Sequence, residues 1–148
     1  MLTIFTCLLS LFTIFSLAPI PENIHPEKET LEIKFKYNSP CKGKILISCF
    51  QESDYFLDSK KATYSAVLDC QENLFIKNID SHLPRAVMAF MDENGNGEID
   101  LNVFGIPTEP YALSNGARGK WKEPDFEEAA EPAYNKTITL EFNYWKDR

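Results

Sequence analysis

Residues 30–37 read TLEIKFKY. Leu31, Ile33, Phe35 and Tyr37 fall on one side of an extended chain, with Glu32, Lys34 and Lys36 on the other. Successive side chains of a strand point to opposite faces, so this alternation predicts a strand with one face in a core and one in water. Near the other end, KTITLEFNYW (136–145) repeats the pattern with Ile138, Leu140, Phe142 and Tyr144. Between them, KILISCF (44–50) and RAVMAFM (85–91) are apolar on both faces, as expected of central strands. ATYSAVLD (62–69) and NLFIKNI (73–79) supply two more, with Gln71, Glu72 and Asn73 as the turn between. Residues 51–61, QESDYFLDSKK, form a polar hairpin loop with room for one helical turn. Helical apolar spacing comes nearest in PDFEEAAEPAY (124–134), which Pro124 and Pro132 interrupt. Several short strands with frequent turn residues predict an all-β fold, a single β-sandwich.

The chain opens MLTIFTCLLSLFTIFSLAPIPE, uncharged from residue 2 to 18, with Ser16-Leu17-Ala18 as a small-x-small sequence. This pattern predicts a signal peptide over 1–18, a polar, proline-rich linker over 19–29 and a β-sandwich domain over 30–148. The expected location is secreted or periplasmic. The alternative is an uncleaved N-terminal anchor, because the apolar run lies at the short limit for spanning a bilayer. A membrane partner is expected only in that case. Cys7 sits inside the apolar run, which argues against a lipoprotein. Cleavage near Ala18 would leave about 130 of the 148 residues, enough for one core. The net charge of −7 disfavours nucleic acid and anionic membrane surfaces and suits cation binding.

Three cysteines follow the apolar segment: Cys41, Cys49 and Cys70. If the strands near 43–50 and 62–70 form a hairpin, Cys41 and Cys70 fall near one end of it, and that pair is the expected disulfide. Cys49 is then a buried strand residue. Three unpaired thiols are the competing arrangement, since connectivity does not follow from sequence. None of the cysteines has the CxxC spacing of a zinc site.

Residues 92–134 form a segment rich in Gly, Pro, Asn and acids, with little regular pattern. A loop that long in a compact domain is uncommon and often functional. It begins DENGNGEID (92–100), where Asp92, Asn94, Asn96, Glu98 and Asp100 alternate. A hard cation such as Ca²⁺ takes six to eight oxygen ligands, and alternate oxygen-bearing side chains let a short loop curl around one ion. Gly97 stands six positions along, where an EF-hand loop turns sharply. In this scheme Asp92, Asn94 and Asn96 ligate by side chain, Glu98 by its backbone carbonyl, and Asp100 directly or through water. Two departures stand out: position twelve is Val103 rather than a bidentate Glu, and the segment entering the loop reads as a strand. The missing carboxylate would come from Asp125, Glu127 or Glu128, with Glu127 and Glu128 the first candidates. The expected affinity is modest, in about the 10⁻⁴–10⁻³ M range of extracellular modules. A plain Asn-Gly turn with solvated acids is the alternative.

Four motifs in order, Asp92 to Gly97, Phe104-Gly105-Ile106-Pro107, Ser114-Asn115-Gly116-Ala117-Arg118-Gly119 and Phe126-Glu127-Glu128-Ala129-Ala130, resemble the signature of the bacterial domain-of-unknown-function 2141 family. The resemblance extends over about residues 30–146. It implies a small β-sandwich of immunoglobulin-like or prealbumin-like type, exported, with no established activity. Two departures from the family pattern are His82-Leu83-Pro84-Arg85-Ala86 in place of a Leu-Pro-Pro-Gly-Thr-Tyr-like turn, and Gly116 in place of a second Asn. The motifs can be structural, with Arg118 clamping Asp125 or Glu127 and with Tyr111, Trp121 and Phe126 capping an end of the sandwich. Alternatively, Arg118, Tyr111, Trp121 and Phe126 line a shallow binding site for a sugar, a peptide or an envelope component.

No nucleophile lies near His82 in sequence, and GxSxG, HExxH and glycine-rich phosphate-loop motifs do not occur. Two classes of function remain. One is an exported non-catalytic module, binding or accessory, with a calcium-stabilised acidic loop and an unidentified envelope or extracellular partner. The other is a metal-assisted hydrolase acting on envelope or extracellular polymers, with acids from 92 to 128 around the ion.

Overall fold

The computed structural model describes residues 28–70, 73–119 and 122–146. The expected signal peptide, nearly all of the linker, the turn residues Gln71 and Glu72, and Trp121 lie outside the described residues. Among the described residues seven strands and one short α-helix follow in the order β1 (Lys28–Tyr37), β2 (Lys44–Phe50), β3 (Tyr64–Leu68), β4 (Asn73–Asp80), β5 (Ala86–Asp92), β6 (Tyr111–Leu113), α1 (Phe126–Ala129) and β7 (Thr137–Phe142). They build a three-stranded sheet, β4-β1-β7, and a four-stranded sheet, β3-β2-β5-β6. The architecture is the all-β sandwich that the alternation predicts. Among the described residues no helix is long and apolar enough to cross a membrane.

β1 is the middle strand of the first sheet, antiparallel to β4 and parallel to β7. Its alternation is realised as read: Leu31, Ile33 and Phe35 are buried while Lys34 and Lys36 are exposed. In the parallel ladder Ile33 lies beside Ile138, Phe35 beside Leu140 and Tyr37 beside Phe142. The Tyr37 and Phe142 rings stack at 5.5 Å. These side chains meet Ile45, Ile47, Cys49, Val87, Ala89 and Met91 from the second sheet in one core. Each large apolar side chain buried there contributes about 1.5–3 kcal/mol.

β2 and β5 are the middle strands of the second sheet, and their two-sided apolarity has a further cause. Val87, Ala89 and Met91 face the first sheet, whereas Ala86 and Phe90 face outward into a second apolar cluster. That cluster is closed by Tyr111, Leu113, Ala117, Phe126 and Ala129, all from the segment with little sequence pattern. Phe56, from the 51–61 loop, packs edge-on against both Phe50 (5.5 Å) and Phe126 (5.7 Å). The long segment is therefore the lid on the outer face of this sheet. β6 and α1 lie within it, and at three and four residues each they are too short to show a period.

Cys41 and Cys70 form the expected disulfide, and among the described residues Cys49 is the free cysteine, buried in β2. Burial pushes the Cys49 thiol up to about 12, while the Arg85 charge pulls in the opposite direction. Arg85 is itself almost fully buried and donates from Nη2 to the carbonyls of Ser81 and Leu83. The turn at 82–85, where the chain departs from the family pattern, is thus tied by an Arg side chain. The Asp80 carboxylate accepts from the His82 N–H, and His82 Nδ1 pairs with the Tyr134 hydroxyl at 2.6 Å.

Candidate functional site

The acidic stretch begins where β5 ends. Asp92 is 4% exposed, and its carboxylate accepts three backbone N–H groups, from Gly95 (2.7 Å), Asn96 (3.1 Å) and Gly97 (2.9 Å). Gly95 and Gly97 both have left-handed backbone, at φ 78° and 81°, which other residues adopt only with strain. Asn94 Oδ1 accepts from the Asn96 N–H, and Asn96 Oδ1 from the Glu98 N–H. The amide groups of both Asn residues donate to the two oxygens of Asp100. The loop is a closed set of side-chain-to-backbone bonds, more than an Asn-Gly turn requires.

Glu109 completes it. This residue, also 4% exposed, accepts from the Glu93 N–H at 2.8 Å and from the Asp100 N–H at 3.1 Å. One carboxylate thereby ties the start of the loop to its middle. Glu109 is the later carboxylate that the structure brings against this loop, as an acceptor of backbone N–H groups. The sequence signal was faint: an isolated acid between Thr108 and Pro110, outside any alternating pattern.

From Asp100 the chain runs out and back as a narrow finger. Leu101 bridges to Pro107, the Asn102 N–H donates to the Ile106 carbonyl, and the Asn102 side chain accepts from Phe104 and Ile106. The tip is therefore held by its own backbone. Yet Leu101, Val103 and Phe104 are 53%, 94% and 83% exposed. A rigid loop that spends its polar groups on itself presents these apolar side chains to solvent.

No Lys or Arg occurs between Arg85 and Arg118, while five acids do: Asp92, Glu93, Glu98, Asp100 and Glu109. Among the described residues none of the five joins an ion pair with Lys or Arg; Lys44, opposite Asp92 in the ladder, turns to Asp69 instead. The donors here are all oxygens, which suits a hard cation such as Ca²⁺. Among the described residues no three of His, Cys, Asp and Glu gather as a ligand group. Asn94 and Asn96 amide oxygens and backbone carbonyls would have to complete any shell. The Asn amide groups now hold Asp100 in the way a cation would.

Glu127 and Glu128 are not brought to this loop. Glu128 sits on α1, where its carboxylate accepts from the Asp125 N–H and its carbonyl from the Asn115 amide. Neighbouring Ala129 is linked through Ser114 Oγ to the Val87 N–H, at the start of β5. Asp92 lies five strand residues further on, roughly 15–20 Å away. Glu127 is exposed on the same helix.

The third and fourth motifs work as the first does. Buried Ser114 accepts from Val87 and donates to the Ala129 carbonyl at 2.5 Å. Asn115 takes left-handed backbone, and its N–H donates to Glu131, whose carboxylate also receives the Asn135 amide. The expected clamp between Arg118 and Asp125 or Glu127 is not formed: Asp125 pairs with Lys122 at 2.6 Å. The Arg118 guanidinium lies 5.3 Å above the centre of the Tyr111 ring instead. Tyr111 and Phe126 are both buried in the second apolar cluster, so they support the surface rather than form it.

Fold and site together define a two-sheet β-sandwich whose outer face and one end are closed by loops stapled through polar side chains. The family model described as an uncharacterized protein conserved in bacteria, domain of unknown function 2141, matches residues 33–140, and the chain belongs to this family. No curated protein and no solved structure matches the chain.

Proposed function

We propose that the protein is an exported, non-catalytic binding module whose finger, residues 92–110, is a preformed recognition element stabilised by Ca²⁺. The observation that carries this reading is the tip: Val103 and Phe104 stand exposed on a loop fixed by its own hydrogen bonds. Exposed apolar side chains on a rigid support are a hallmark of contact surfaces, because little entropy is lost when a partner covers them. The partner is an envelope or extracellular component. Export is supported by the uncharged N-terminal run and by the Cys41–Cys70 disulfide, which belongs in an oxidising compartment. An immunoglobulin-like or prealbumin-like relationship fits the two-sheet arrangement.

Calcium is proposed because five acids crowd residues 92–109 without a Lys or Arg partner among the described residues. Asp92, Asn94, Asn96, Asp100 and the Glu98 carbonyl would hold the ion, which supplies countercharge and rigidity rather than chemistry. At roughly 10 mM Ca²⁺, an affinity in the expected range would add about 1.4–2.7 kcal/mol of stability. Thermal melting with and without Ca²⁺ tests this, with Asp100→Asn expected to lose the response. Phe104→Ser tests the tip and should change stability by less than about 0.5 kcal/mol, as an exposed contact residue would. A larger loss would make Phe104 a packing residue and remove the basis for the recognition element.

A further inference from the structure

Away from the finger, β6 and the segment after it run beside β7 of the first sheet, and a cleft of about 400 Å³ lies between them. Lys36, Thr139, Glu141 and Asn143 form its floor, and Leu113 and Arg118 its wall. Lys36 and Glu141 are neighbours in the parallel β1–β7 ladder, so both project from the same outer face. Tyr111 pairs with Asn143 through two backbone hydrogen bonds, which fixes the wall to the floor.

Arg118 is the unusual member. Its guanidinium is held over the Tyr111 ring, a geometry that orients the plane without using any N–H. Nη1 is buried with no hydrogen-bond partner among the described residues. Among the described residues Arg118 joins no ion pair, although Asp125, Glu127 and Glu128 follow closely in sequence. A buried guanidinium nitrogen without an acceptor calls for an explanation, and an acceptor from outside the chain is one. The nearest carboxylate in the cleft, Glu141, is already committed: it accepts from the Asn38 amide at 2.8 Å. That bond, with help from Asn143, Lys36 and Arg118, keeps Glu141 below the usual carboxylate range and hence charged.

We infer that the cleft is a binding site for the carboxylate of a small organic acid, free or at the end of a peptide, gripped by Arg118 with Lys36 beside it. The planar fork of Arg matches a carboxylate through two parallel N–H···O bonds. Two cations against one carboxylate leave the lining with one net positive charge. A monoanion is thereby matched, whereas a dianionic phosphate would meet both Glu141 and a chain of net charge −7. Thr139 offers its hydroxyl to the rest of the ligand, while the Asn143 amide is held by Asn38 and the Glu141 carbonyl. The site does not use the finger and does not depend on calcium.

The test is a titration of the protein, followed by backbone amide NMR shifts, with acetate, N-acetyl-trialanine, its C-terminal amide, and inorganic phosphate. Acetate and the peptide acid should give saturable shifts around Lys36, Arg118 and Thr139. Arg118→Gln should weaken them by about tenfold or more, since charged hydrogen bonds are lost. Arg118→Lys should fall between, having charge without the fork. A peptide acid that binds tighter than acetate and is silenced by amidation upholds the site with a chain terminus as its ligand. Equal binding upholds it with a free acid. No saturable shift, undiminished binding in Arg118→Gln, or phosphate binding as tightly as acetate would overturn the proposal. Should Arg118→Gln fail to fold, the exposed Lys36→Gln decides, and undiminished affinity there overturns it as well.

Discussion

The space between the sheets and the finger at the end of β5 are ordered by opposite means. Between the sheets, Leu31, Ile33, Ile138, Leu140 and Phe142 are packed with at most 1% of their surface exposed. Order there comes from excluded water and shape. In the finger, Asp92, Asn94, Asn96, Asn102 and Glu109 hold backbone N–H groups, while Leu101, Val103 and Phe104 are exposed. A polar staple fixes a loop without burying it, so the apolar residues stay available. Both regions meet at Asp92, the last residue of β5, and at Gly43, whose backbone passes so close that an added Cβ would lie 1.9 Å from the Asp92 carbonyl oxygen.

If the two kinds of order are separable, substitutions should divide cleanly. Phe142→Ala, in the core, should cost about 4 kcal/mol in denaturant unfolding and leave any calcium response of the melting temperature intact. Asp92→Ala removes the acceptor of three N–H groups and should cost about 2–3 kcal/mol, with the calcium response lost. An Asp92→Ala protein that keeps its calcium response would break the division. Ser114→Ala, in the lid over the outer face, leaves the Val87 N–H and the Ala129 carbonyl without their partner and should cost about 2 kcal/mol. Here calcium should act as on the wild type.

The smallest effect belongs to Cys49. With its thiol raised from 9.0 to about 12, it should resist alkylation at about pH 8 in the folded protein and react once denatured. Burial of the neutral thiol favours the fold fully below the ordinary thiol value. That contribution falls as pH rises from 9.0 towards about 12. Rapid native-state labelling would show that the interior between the sheets opens as readily as a loop.

What could be read from the sequence divides along the same line. Alternation in TLEIKFKY and KTITLEFNYW located β1 and β7 because burial on one face acts on every second residue. RAVMAFM was legible as a central strand, but not that residues 111–130 supply the cover on its outer side. The Asp92 loop was visible as a cluster of oxygen-bearing residues. Glu109 was not, because a side chain that bonds backbone N–H groups leaves no periodic trace and no fixed spacing. Glu127 and Glu128 drew attention as acids, whereas on α1 they are a solvated residue and a partner of Asp125. Arg118 stood out as a clamp for an acid, whereas its companion is the Tyr111 ring.

Hydrogen exchange of the finger amides addresses the central claim most directly. The N–H groups of Gly95, Asn96 and Gly97 belong to exposed residues, yet all three bond the Asp92 carboxylate. They should exchange more slowly than unprotected amides, slow further with millimolar Ca²⁺, and lose that protection in Asp92→Ala while β2 and β5 keep theirs. Free exchange at these positions in the wild type, unaltered by calcium, would contradict the account of the finger as a preformed, cation-held element.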